Sequence, residues 1–317
     1  MLSVLAEGAS PLQIAGLLSV LRHRGAEPLE LAGFVDALRS QQVPISFPRE
    51  NLVDTCGTGG GRPTLNLSTG AAFLAAGAGA TVAKHGNRSV TSTCGSADVL
   101  ESLGISLSSE PEHLSRSMAQ TGLAFLFAPS FHPALKTIGP VRRELGMRTV
   151  FNQLGPLLNP AGARRQVIGV YSLELMRPMA EALLLLGSER AFVVHSEDGL
   201  DEFSPCAPTY VAEVFDGQVK EYTVSPADFG QDFLPHESID QASSPAHAAE
   251  LMREGLGDPF HIVFRAMIPN AAACLVAAGL ESDWRSAAQR VIAAGRDGRA
   301  LSALDQLVAL SQETVES

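Results

Sequence analysis

The sequence predicts an α/β fold: a small N-terminal helical domain over residues 1–45, and a larger α/β domain over residues 46–317 with a central, mostly parallel sheet. Two observations predict it. The first 45 residues carry apolar side chains at helical spacing, whereas from Leu52 onward short apolar segments end in glycine-rich or polar turns and alternate with helical patterns. Such alternation is typical of parallel sheets. Part of the region 100–150 is expected to join the helical domain in space.

Two amphipathic helices are predicted at the N-terminus. Ser10 followed by Pro11 is typical of a helix start. Apolar residues then recur at the spacing of one helix face, at Ile14, Leu17, Leu18 and Leu21. Pro28 opens a second helix, which ends before the two prolines of QQVPISFP.

Five later segments read as strands, because each is apolar and ends in a turn. They are LVDTCG, TVAKHG, LAFLFAP, RQVIGVYS and RAFVVHS. The dipeptide Asp216-Gly217 lies between two alternating runs and predicts a β-hairpin. Helices are expected over residues 133–145, 174–186, 270–278, 284–294 and 300–310.

The composition excludes several classes of protein. Hydrophobic residues make up 45% and charged residues 18% of the 317 positions, so the chain can bury a core. A net charge of −11 leaves no basic face for nucleic acid. No apolar run reaches the length of a membrane span, and MLSVLAEGAS lacks the basic start of a signal peptide. We therefore expect a cytoplasmic protein without a nucleic-acid or membrane partner.

The four cysteines are sparse and show no metal-ligand spacing in sequence. Their positions are Cys56, Cys94, Cys206 and Cys274. Reduced thiols are the expectation for so few cysteines in a chain of this length.

A glycine-rich stretch, DTCGTGGG, follows the first predicted strand. Bare glycines let backbone N–H groups converge on an anion. The spacing matches neither GxGxxG nor GxxxxGK[ST], so an anion loop and a tight turn are equally compatible with this stretch alone. Asn66, Ser68 and Thr69 follow at the start of an alanine-rich helix, whose dipole favours an anion. The alternative for Ser68 is ordinary capping of that helix.

A second donor-rich loop, KHGNRSVTSTCGSADVLE, follows the strand segment TVA. Lys84, His85 and Arg88 supply positive charge in an otherwise acidic chain, and several hydroxyl groups precede the next helix. A solvated basic turn is the alternative. Two donor-rich loops after two strands favour a polyphosphate ligand.

Three arginines, Arg142, Arg143 and Arg148, lie in a segment that begins at His132. Guanidinium groups suit carboxylate or phosphate ligands, although Arg143 could equally pair with Glu144 at the surface. The apolar stretch FNQLGPLLNP that follows is expected to pack beside the site.

Asp201 and Glu202 are adjacent after the strand RAFVVHS. Neighbouring carboxylates repel unless a cation lies nearby, and Mg²⁺ binds through one or two carboxylates plus substrate phosphates. A solvated acidic turn is the alternative for this pair alone. Together with the two anion loops, the pair predicts a metal–polyphosphate site.

These stretches, in this order, resemble the anthranilate phosphoribosyltransferase family of tryptophan biosynthesis. KHGNRS with GSADVLE, VRRELGMRTVFNQLGPLLNP and GLDE carry the resemblance, which runs from near the N-terminus to the last helices. It implies a nucleoside-phosphorylase-like phosphoribosyltransferase fold and a homodimer formed through the helical domains. It also implies transfer of the phosphoribosyl group from phosphoribosyl pyrophosphate to the amine of anthranilate, with Mg²⁺ as cofactor and without an obligatory acid or base.

The resemblance also implies the site residues. The positions that meet anthranilate are Gly57, Asn87, His132 and Arg142. The positions that bind phosphoribosyl pyrophosphate are Gly57, Gly60, Gly61, Thr64, Asn66, Ser68, Thr69, Lys84, Asn87, Arg88, Ser89, Ser92 and Ser96. The positions that handle the metal are Ser68, Asp201 and Glu202.

The loop GTGGGRPT departs from the GTGGDG pattern usual in that family, because it lacks the aspartate and is one residue shorter. We expect Arg62 to supply positive charge near the diphosphate and to lower the dependence on one Mg²⁺. Four alternatives stay open: a relative with a different aromatic acceptor, a nucleoside phosphorylase, a nucleic-acid-binding relative and an inactive paralogue. The Arg142 region argues against the phosphorylase, and the acidic charge and retained GLDE argue against nucleic-acid binding.

Overall fold

The computed structural model describes residues 8–48, 50–62, 64–88 and 94–313. The helices are α1 (Pro11–Arg24), α2 (Pro28–Arg39), α3 (Leu67–Gly77), α4 (Ser96–Ser102), α5 (Pro111–Thr121), α6 (Ala128–Phe131), α7 (Ile138–Leu145), α8 (Val150–Leu157), α9 (Met176–Leu185), α10 (Pro245–Gly257), α11 (Ile262–Ala278), α12 (Trp284–Arg296) and α13 (Arg299–Gln312). The strands are β1 (Leu52–Gly57), β2 (Thr81–Gly86), β3 (Leu123–Phe127), β4 (Arg165–Gly169), β5 (Arg190–Ser196), β6 (Thr209–Phe215) and β7 (Gln218–Val224). Short 3₁₀ helices cover Pro133–Thr137, Leu173–Leu175, Pro226–Phe229 and His236–Ile239.

The strands form one seven-stranded sheet in the order β3-β2-β1-β4-β5-β6-β7. Strands β1 to β5 pair in parallel, and β6 and β7 add an antiparallel edge. The predicted α/β class with a mostly parallel sheet is confirmed. The strand order reverses at β1, which lies between β2 and β4, and open α/β sheets bind ligands beyond the carboxyl ends of strands at such a switch point.

Both faces of the sheet are covered, because successive residues of a strand point to opposite sides. Val167 of β4 belongs to the core formed with α3, α11 and α12. Its neighbour Ile168 belongs to the core formed with α1, α2 and α8. The N-terminal helices and the α/β region therefore share one of the cores.

The N-terminal helices are fixed to the region that follows the first three strands. The N-cap of α1 is Ser10, as predicted, and its hydroxyl accepts the backbone N–H of Gln13. At the end of α2, Arg39 donates from Nη2 to the carbonyl of Leu157, the last residue of α8, at 2.9 Å. The boundary at residues 45 and 46 stays a prediction.

The predicted β-hairpin is confirmed as β6 and β7. Asp216 and Gly217 have φ angles of 50° and 71°, the left-handed conformation that a type I′ turn needs at both central residues.

Two helix predictions were wrong in extent, and some helices were missed. The first residue of α11 is Ile262 instead of Asn270, because Pro269 lies inside the helix rather than before it. Residues 133–145 form a 3₁₀ helix followed by α7 instead of one helix. The helix α10 was not predicted, although Ser244 before Pro245 repeats the start signal of α1.

Within the described residues, no single helix is long and apolar enough to cross a membrane. By length and composition alone, the pair α10 and α11 passes the test as a broken span, with an 80° bend between the two helices.

Candidate active site

The loop after β1 lies at the switch point of the sheet. Gly57 ends β1 and pairs with Gly169 at the end of β4, so both glycines lie where a ligand reaches an open α/β sheet. Thr58 follows, and its N–H donates to the carbonyl of Gly169 at 2.8 Å. The glycine-rich loop is thereby held against the end of β4.

Two charged side chains, Asp201 and Arg148, lie against the glycines of this loop. A Cβ on Gly57 would lie 3.0 Å from Oδ2 of Asp201, and a Cβ on Gly61 would collide with the same carboxylate. On the other side, Arg148 donates from Nη2 to the carbonyl of Gly60 at 2.6 Å, and its guanidinium lies 4.2 Å from the centre of the Tyr171 ring. The absence of side chains in the loop is therefore needed for the close approach of Asp201.

Beside the loop, Lys84 near the end of β2 is 3% exposed. Its Nζ donates to the carbonyl of Thr55 at 2.6 Å and lies 3.4 Å from the hydroxyl oxygen of Ser68. The backbone N–H of Ser68 donates to Oε1 of Glu202 at 3.0 Å. A lysine, a hydroxyl and a carboxylate from β2, α3 and the loop after β5 thus meet at one place.

Burial governs the charge of this cluster. Desolvation lowers the pKa of Lys84. Desolvation, reinforced by the neighbouring charge of Asp201, raises the pKa of Glu202 to about 8. Burial also raises the pKa of Asp201. Without a ligand, these two carboxylates have too little positive charge nearby to favour their ionised form, because a buried carboxylate stays ionised only beside a cation.

The donor set fits Mg²⁺. Oε2 of Glu202 is buried and has no hydrogen-bond partner among the described residues. Carboxylate oxygens are ligands that Mg²⁺ prefers, and Asp201 adds a second carboxylate beside the loop.

The start of α3 differs from the alternative in which Ser68 caps the helix. The N-cap is Asn66, whose side chain makes no capping bond and donates from Nδ2 to the carbonyl of Cys94 at 3.2 Å. Ser68 lies in the first turn, with its N–H on Glu202. The positive end of the helix dipole therefore faces a carboxylate in this structure.

Two buried histidines lie next to each other on the β2 side of the site. The rings of His85 and His132 meet edge to face with centroids 5.2 Å apart. Desolvation lowers the pKa of His85 to about 3 and that of His132 to about 4. Both imidazoles are therefore neutral at pH 7.

Replacing His132 by asparagine tests this environment through the free energy of unfolding. The unfolded state binds a proton near pH 6.5 and the folded state only near pH 4, so stability supplied by neutral His132 is lost as the pH falls between these values. From pH 7 to pH 5, the wild-type chain should lose about 2 kcal/mol more than the variant in urea unfolding. The exposed His23, replaced by asparagine, is the control. An equal loss in wild type and H132N would contradict a buried neutral His132.

Arg142, the position that the resemblance places at the carboxylate of anthranilate, is half-buried. The guanidinium carbon of Arg142, in α7, lies 5.7 Å from the ring centre of Phe151. Its Nη2 donates to Oδ1 of Asn152 at 3.4 Å. Among the described residues it forms no ion pair with a carboxylate, and burial lowers its pKa. A cation in such a position suits a ligand carboxylate.

Comparison with known proteins decides the family. Residues 49–301 match the glycosyl transferase family a/b domain, and residues 1–41 match the helical bundle domain of that family. Anthranilate phosphoribosyltransferase of Rubrobacter xylanophilus is 46% identical, over 98% of this chain and 91% of its own. The chain belongs to the anthranilate phosphoribosyltransferase family.

Solved structures of the anthranilate phosphoribosyltransferase family have the same fold. The enzyme from Thermus thermophilus superimposes with a TM-score of 0.91 at 40% identity, over 98% of this chain and 93% of that one. The enzyme from Saccharomyces cerevisiae, in complex with PRPP (phosphoribosyl pyrophosphate) and Mg, gives a TM-score of 0.87 at 26% identity, over 98% of this chain and 90% of that one.

The positions implied by the resemblance to the anthranilate phosphoribosyltransferase family are only partly brought together. Ser68, Lys84 and Glu202 form the cluster described above, and the Asp201 side chain lies against the glycine loop. The hydroxyl of Thr69 is buried without a hydrogen-bond partner among the described residues. Ser89 and Ser92 lie outside the described residues.

The remaining members of the second loop contact one another or acidic side chains. Asn87 accepts the N–H of Arg88 at 2.7 Å and, through its carbonyl, the hydroxyl of Ser96 at 3.3 Å. The guanidinium of Arg88 pairs with Glu101 and Asp98. In the first loop, Thr64 donates its hydroxyl to the neighbouring carbonyl of Leu65. In this structure Arg88 therefore does not point to the glycine loop as a free cation.

Arg62 is also already paired. Its Nη2 lies 3.1 Å from Oδ1 of Asp240, and its Nη1 lies 3.2 Å from Nδ1 of His236. The role of Arg62 near the diphosphate stays a prediction, and in this structure its charge is shared with Asp240. Both partners are distant in sequence, so no local motif indicated them.

From the sequence, His85 was expected to supply positive charge in the second loop, which is wrong because desolvation lowers its pKa to about 3. Arg148 was not singled out among the three arginines. For Arg148 only the fold, which lays it over Gly60, distinguishes it from Arg143.

Proposed function

We propose that this chain transfers the phosphoribosyl group of phosphoribosyl pyrophosphate to the amine of anthranilate, giving N-(5-phosphoribosyl)anthranilate and diphosphate. The observation that carries the proposal is the meeting of the glycine loop, Lys84 and the Asp201–Glu202 pair at the switch point of the sheet. Relatives support both ligands: one yeast structure is in complex with PRPP and Mg, and another with 4-fluoroanthranilate.

The diphosphate is proposed to bind beside the glycine loop and the start of α3. Backbone N–H groups and the helix dipole favour an anion there, and Lys84 supplies a full positive charge. Asp201 now borders the same glycines. Because a carboxylate and a diphosphate repel, Asp201 either turns away from the loop or shares a cation with the ligand.

Asp201, Glu202 and the hydroxyl of Ser68 are the groups that would hold Mg²⁺. The unpartnered Oε2 of Glu202 supports this assignment. When bound, Mg²⁺ supplies positive charge to the leaving diphosphate. Lys84, 3.4 Å from the Ser68 oxygen, offsets the negative charge of the two carboxylates.

Replacing Glu202 by glutamine is expected to raise the Mg²⁺ concentration needed for half-maximal phosphoribosyl pyrophosphate binding by about 10-fold or more, because one anionic ligand is lost. Calorimetric titration across a Mg²⁺ series measures this. Glu197→Gln, an exposed position a few residues earlier, is the matched control. Equal Mg²⁺ dependence in E202Q and wild type would remove Glu202 from the metal site.

Anthranilate is proposed to lie between the histidine pair and Arg142. The guanidinium of Arg142 has no carboxylate partner among the described residues and would take the carboxylate of anthranilate in a bidentate pair. The neutral rings of His132 and His85 offer an aromatic wall. Gly57 and Asn87 would border the acceptor from the loops after β1 and β2.

Positioning rather than acid–base catalysis accounts for the reaction. Departure of diphosphate builds positive charge at the anomeric carbon and negative charge on the leaving group. Lys84 and the N–H groups of the glycine loop stabilise that negative charge. The aromatic amine is already neutral at pH 7, so holding it beside the anomeric carbon supplies most of its activation. With its pKa lowered to about 4, His132 contacts the substrate without needing to move a proton.

A panel of acceptors tests this proposal. The purified chain is mixed with phosphoribosyl pyrophosphate, Mg²⁺ and anthranilate, 3-aminobenzoate, 4-aminobenzoate or aniline, and products are identified by mass spectrometry. We expect the phosphoribosyl adduct of anthranilate as the dominant product. A different dominant adduct would assign another acceptor, and no adduct despite bound phosphoribosyl pyrophosphate would favour an inactive paralogue.

The homodimer implied by the family is also proposed here. Leu12 of α1 and Leu29 of α2 are 85% and 73% exposed, and large exposed apolar side chains on one unit favour burial against a partner.

Replacing Leu12 and Leu29 together by glutamate is expected to lower the molar mass measured by light scattering from that of a dimer to that of a monomer, because the charges would be buried at the contact. Phe260→Glu, at a site that is 80% exposed but far along the chain, is the control. A wild-type monomer, or an unchanged mass of the double variant, would contradict the proposal.

A further inference from the structure

A second group of side chains that could hold a metal ion lies near the proposed active site but includes none of the residues assigned to it. It consists of Asp198, Cys206 and His236, and one ligand atom of each lies within 4.8 Å of the other two. Nδ1 of His236 is 3.6 Å from Oδ2 of Asp198. We propose that this Asp–Cys–His cluster binds a divalent transition-metal ion, with Zn²⁺ preferred. The inference is independent of the transferase activity.

The donor set selects the metal. A thiolate, an imidazole and a carboxylate suit Zn²⁺, whereas Mg²⁺ and Ca²⁺ prefer oxygen ligands alone. Nitrogen and oxygen ligands about 2 Å from a tetrahedral Zn²⁺ lie about 3.3 Å apart. The separation of 3.6 Å between His236 and Asp198 therefore needs to close by only a few tenths of an ångström. Three protein ligands leave a fourth position for water.

Ser204 and Ser196 hold the ligands in place. The hydroxyl of Ser204 donates to Oδ2 of Asp198 at 2.8 Å and accepts the backbone N–H of Cys206 at 3.0 Å. The hydroxyl of Ser196 donates to Oδ1 of Asp198. Such outer hydrogen bonds orient metal ligands, so two of the three ligands are fixed by one serine.

The three ligands differ in exposure. The side chain of Asp198 is 7% exposed, Cys206 is buried, and the His236 side chain is 51% exposed. The carboxylate and the thiol are buried ligands, and an ion can reach them from solvent past the exposed His236 side chain. Binding displaces the proton of the Cys206 thiol, because the thiolate is the ligand form.

Arg62 competes with the metal for the same lone pair. Its Nη1 lies 3.2 Å from Nδ1 of His236, so the histidine accepts there and carries its proton on Nε2. This is also the tautomer that binds a metal through Nδ1. The other contact of Arg62, with the exposed Asp240, is a surface pair and contributes little to stability. Metal binding at Nδ1 therefore requires Arg62 to leave His236.

Co²⁺ is the probe that tests the cluster, because a Co²⁺–thiolate bond gives a near-ultraviolet charge-transfer band. We expect one equivalent of Co²⁺ to give this band with the full chain and Zn²⁺ to abolish it by displacement. Cys206→Ser should remove the band, while Cys94→Ser, at a second, partly buried cysteine, should retain it. No band, or a band unchanged in C206S, would overturn the proposal.

Two further variants distinguish ligation from altered folding. His236→Ala, at an exposed position, should lower the Co²⁺ affinity by about 100-fold or more, with unchanged circular dichroism. Arg62→Gln should raise the affinity, because it removes the competitor of the metal. A lowered affinity in R62Q, or an unchanged affinity in H236A, would contradict the assigned ligands.

Discussion

Replacing Lys84 by methionine is expected to lower kcat/KM for phosphoribosyl pyrophosphate by about 10³-fold. Methionine keeps most of the buried volume but removes the positive charge that lies 3.4 Å from the Ser68 oxygen and beside Glu202. That charge faces the place proposed for the leaving diphosphate, where it stabilises the transition state more than the bound substrate. Steady-state rates at saturating anthranilate and Mg²⁺ measure the effect.

The matched control for Lys84 is Lys220→Met, which removes an exposed lysine on β7. Its kcat/KM should equal that of wild type. Since loss of a buried cation leaves Asp54 and Glu202 without its charge, K84M should also unfold at lower urea concentration. Full activity in folded K84M would contradict the role given to this lysine.

Replacing Arg142 by glutamine is expected to raise KM for anthranilate by about 10²-fold. The half-buried guanidinium has no carboxylate partner among the described residues, and glutamine cannot reproduce a bidentate, charge-assisted pair. KM for phosphoribosyl pyrophosphate should change little, because Arg142 is assigned to the carboxylate of the acceptor.

Two controls isolate the contact of Arg142 with the acceptor carboxylate. Arg143→Gln alters the adjacent, exposed arginine and should leave KM for anthranilate unchanged. Aniline, which lacks the carboxylate, should react at a similarly low rate with wild type and R142Q. Equal sensitivity of aniline and anthranilate to R142Q would assign Arg142 a structural role instead.

The parallel sheet and the elements beside the site could be predicted from local patterns. GTGG begins at the last residue of β1, and KHGN spans the end of β2. These two local sequences were enough to predict two donor-rich loops at the same edge of the sheet. The Asp216-Gly217 turn was equally local, since only two positive φ angles are needed there. Such features depend on a few consecutive residues.

Features that depend on chain-distant contacts could not be predicted. The pairing of Arg62 with Asp240 and His236 joins segments that are far apart in the chain, which no local charge pattern reveals. The approach of Asp201 to Gly57 and Gly61 likewise follows from the strand order, in which β1 and β5 flank β4. The family resemblance assigned the glycines to the phosphoribosyl pyrophosphate site, and the close contact with Asp201 gives them a second physical reason.

The same limit applies to the Asp–Cys–His cluster. Its members, Asp198, Cys206 and His236, do not follow the short, regular spacings that mark metal sites in a sequence. The sequence therefore indicated no ligand set around Cys206. Only the fold brings the loop after β5 and the 3₁₀ helix His236–Ile239 together.

The most direct test of the proposed activity is the loss of anthranilate fluorescence on mixing the purified chain with phosphoribosyl pyrophosphate and Mg²⁺. We expect a loss that requires all three components and whose rate falls sharply in K84M and R142Q but not in K220M and R143Q. Anthranilate fluorescence that stays constant with the wild-type chain at saturating substrates and Mg²⁺ would contradict it.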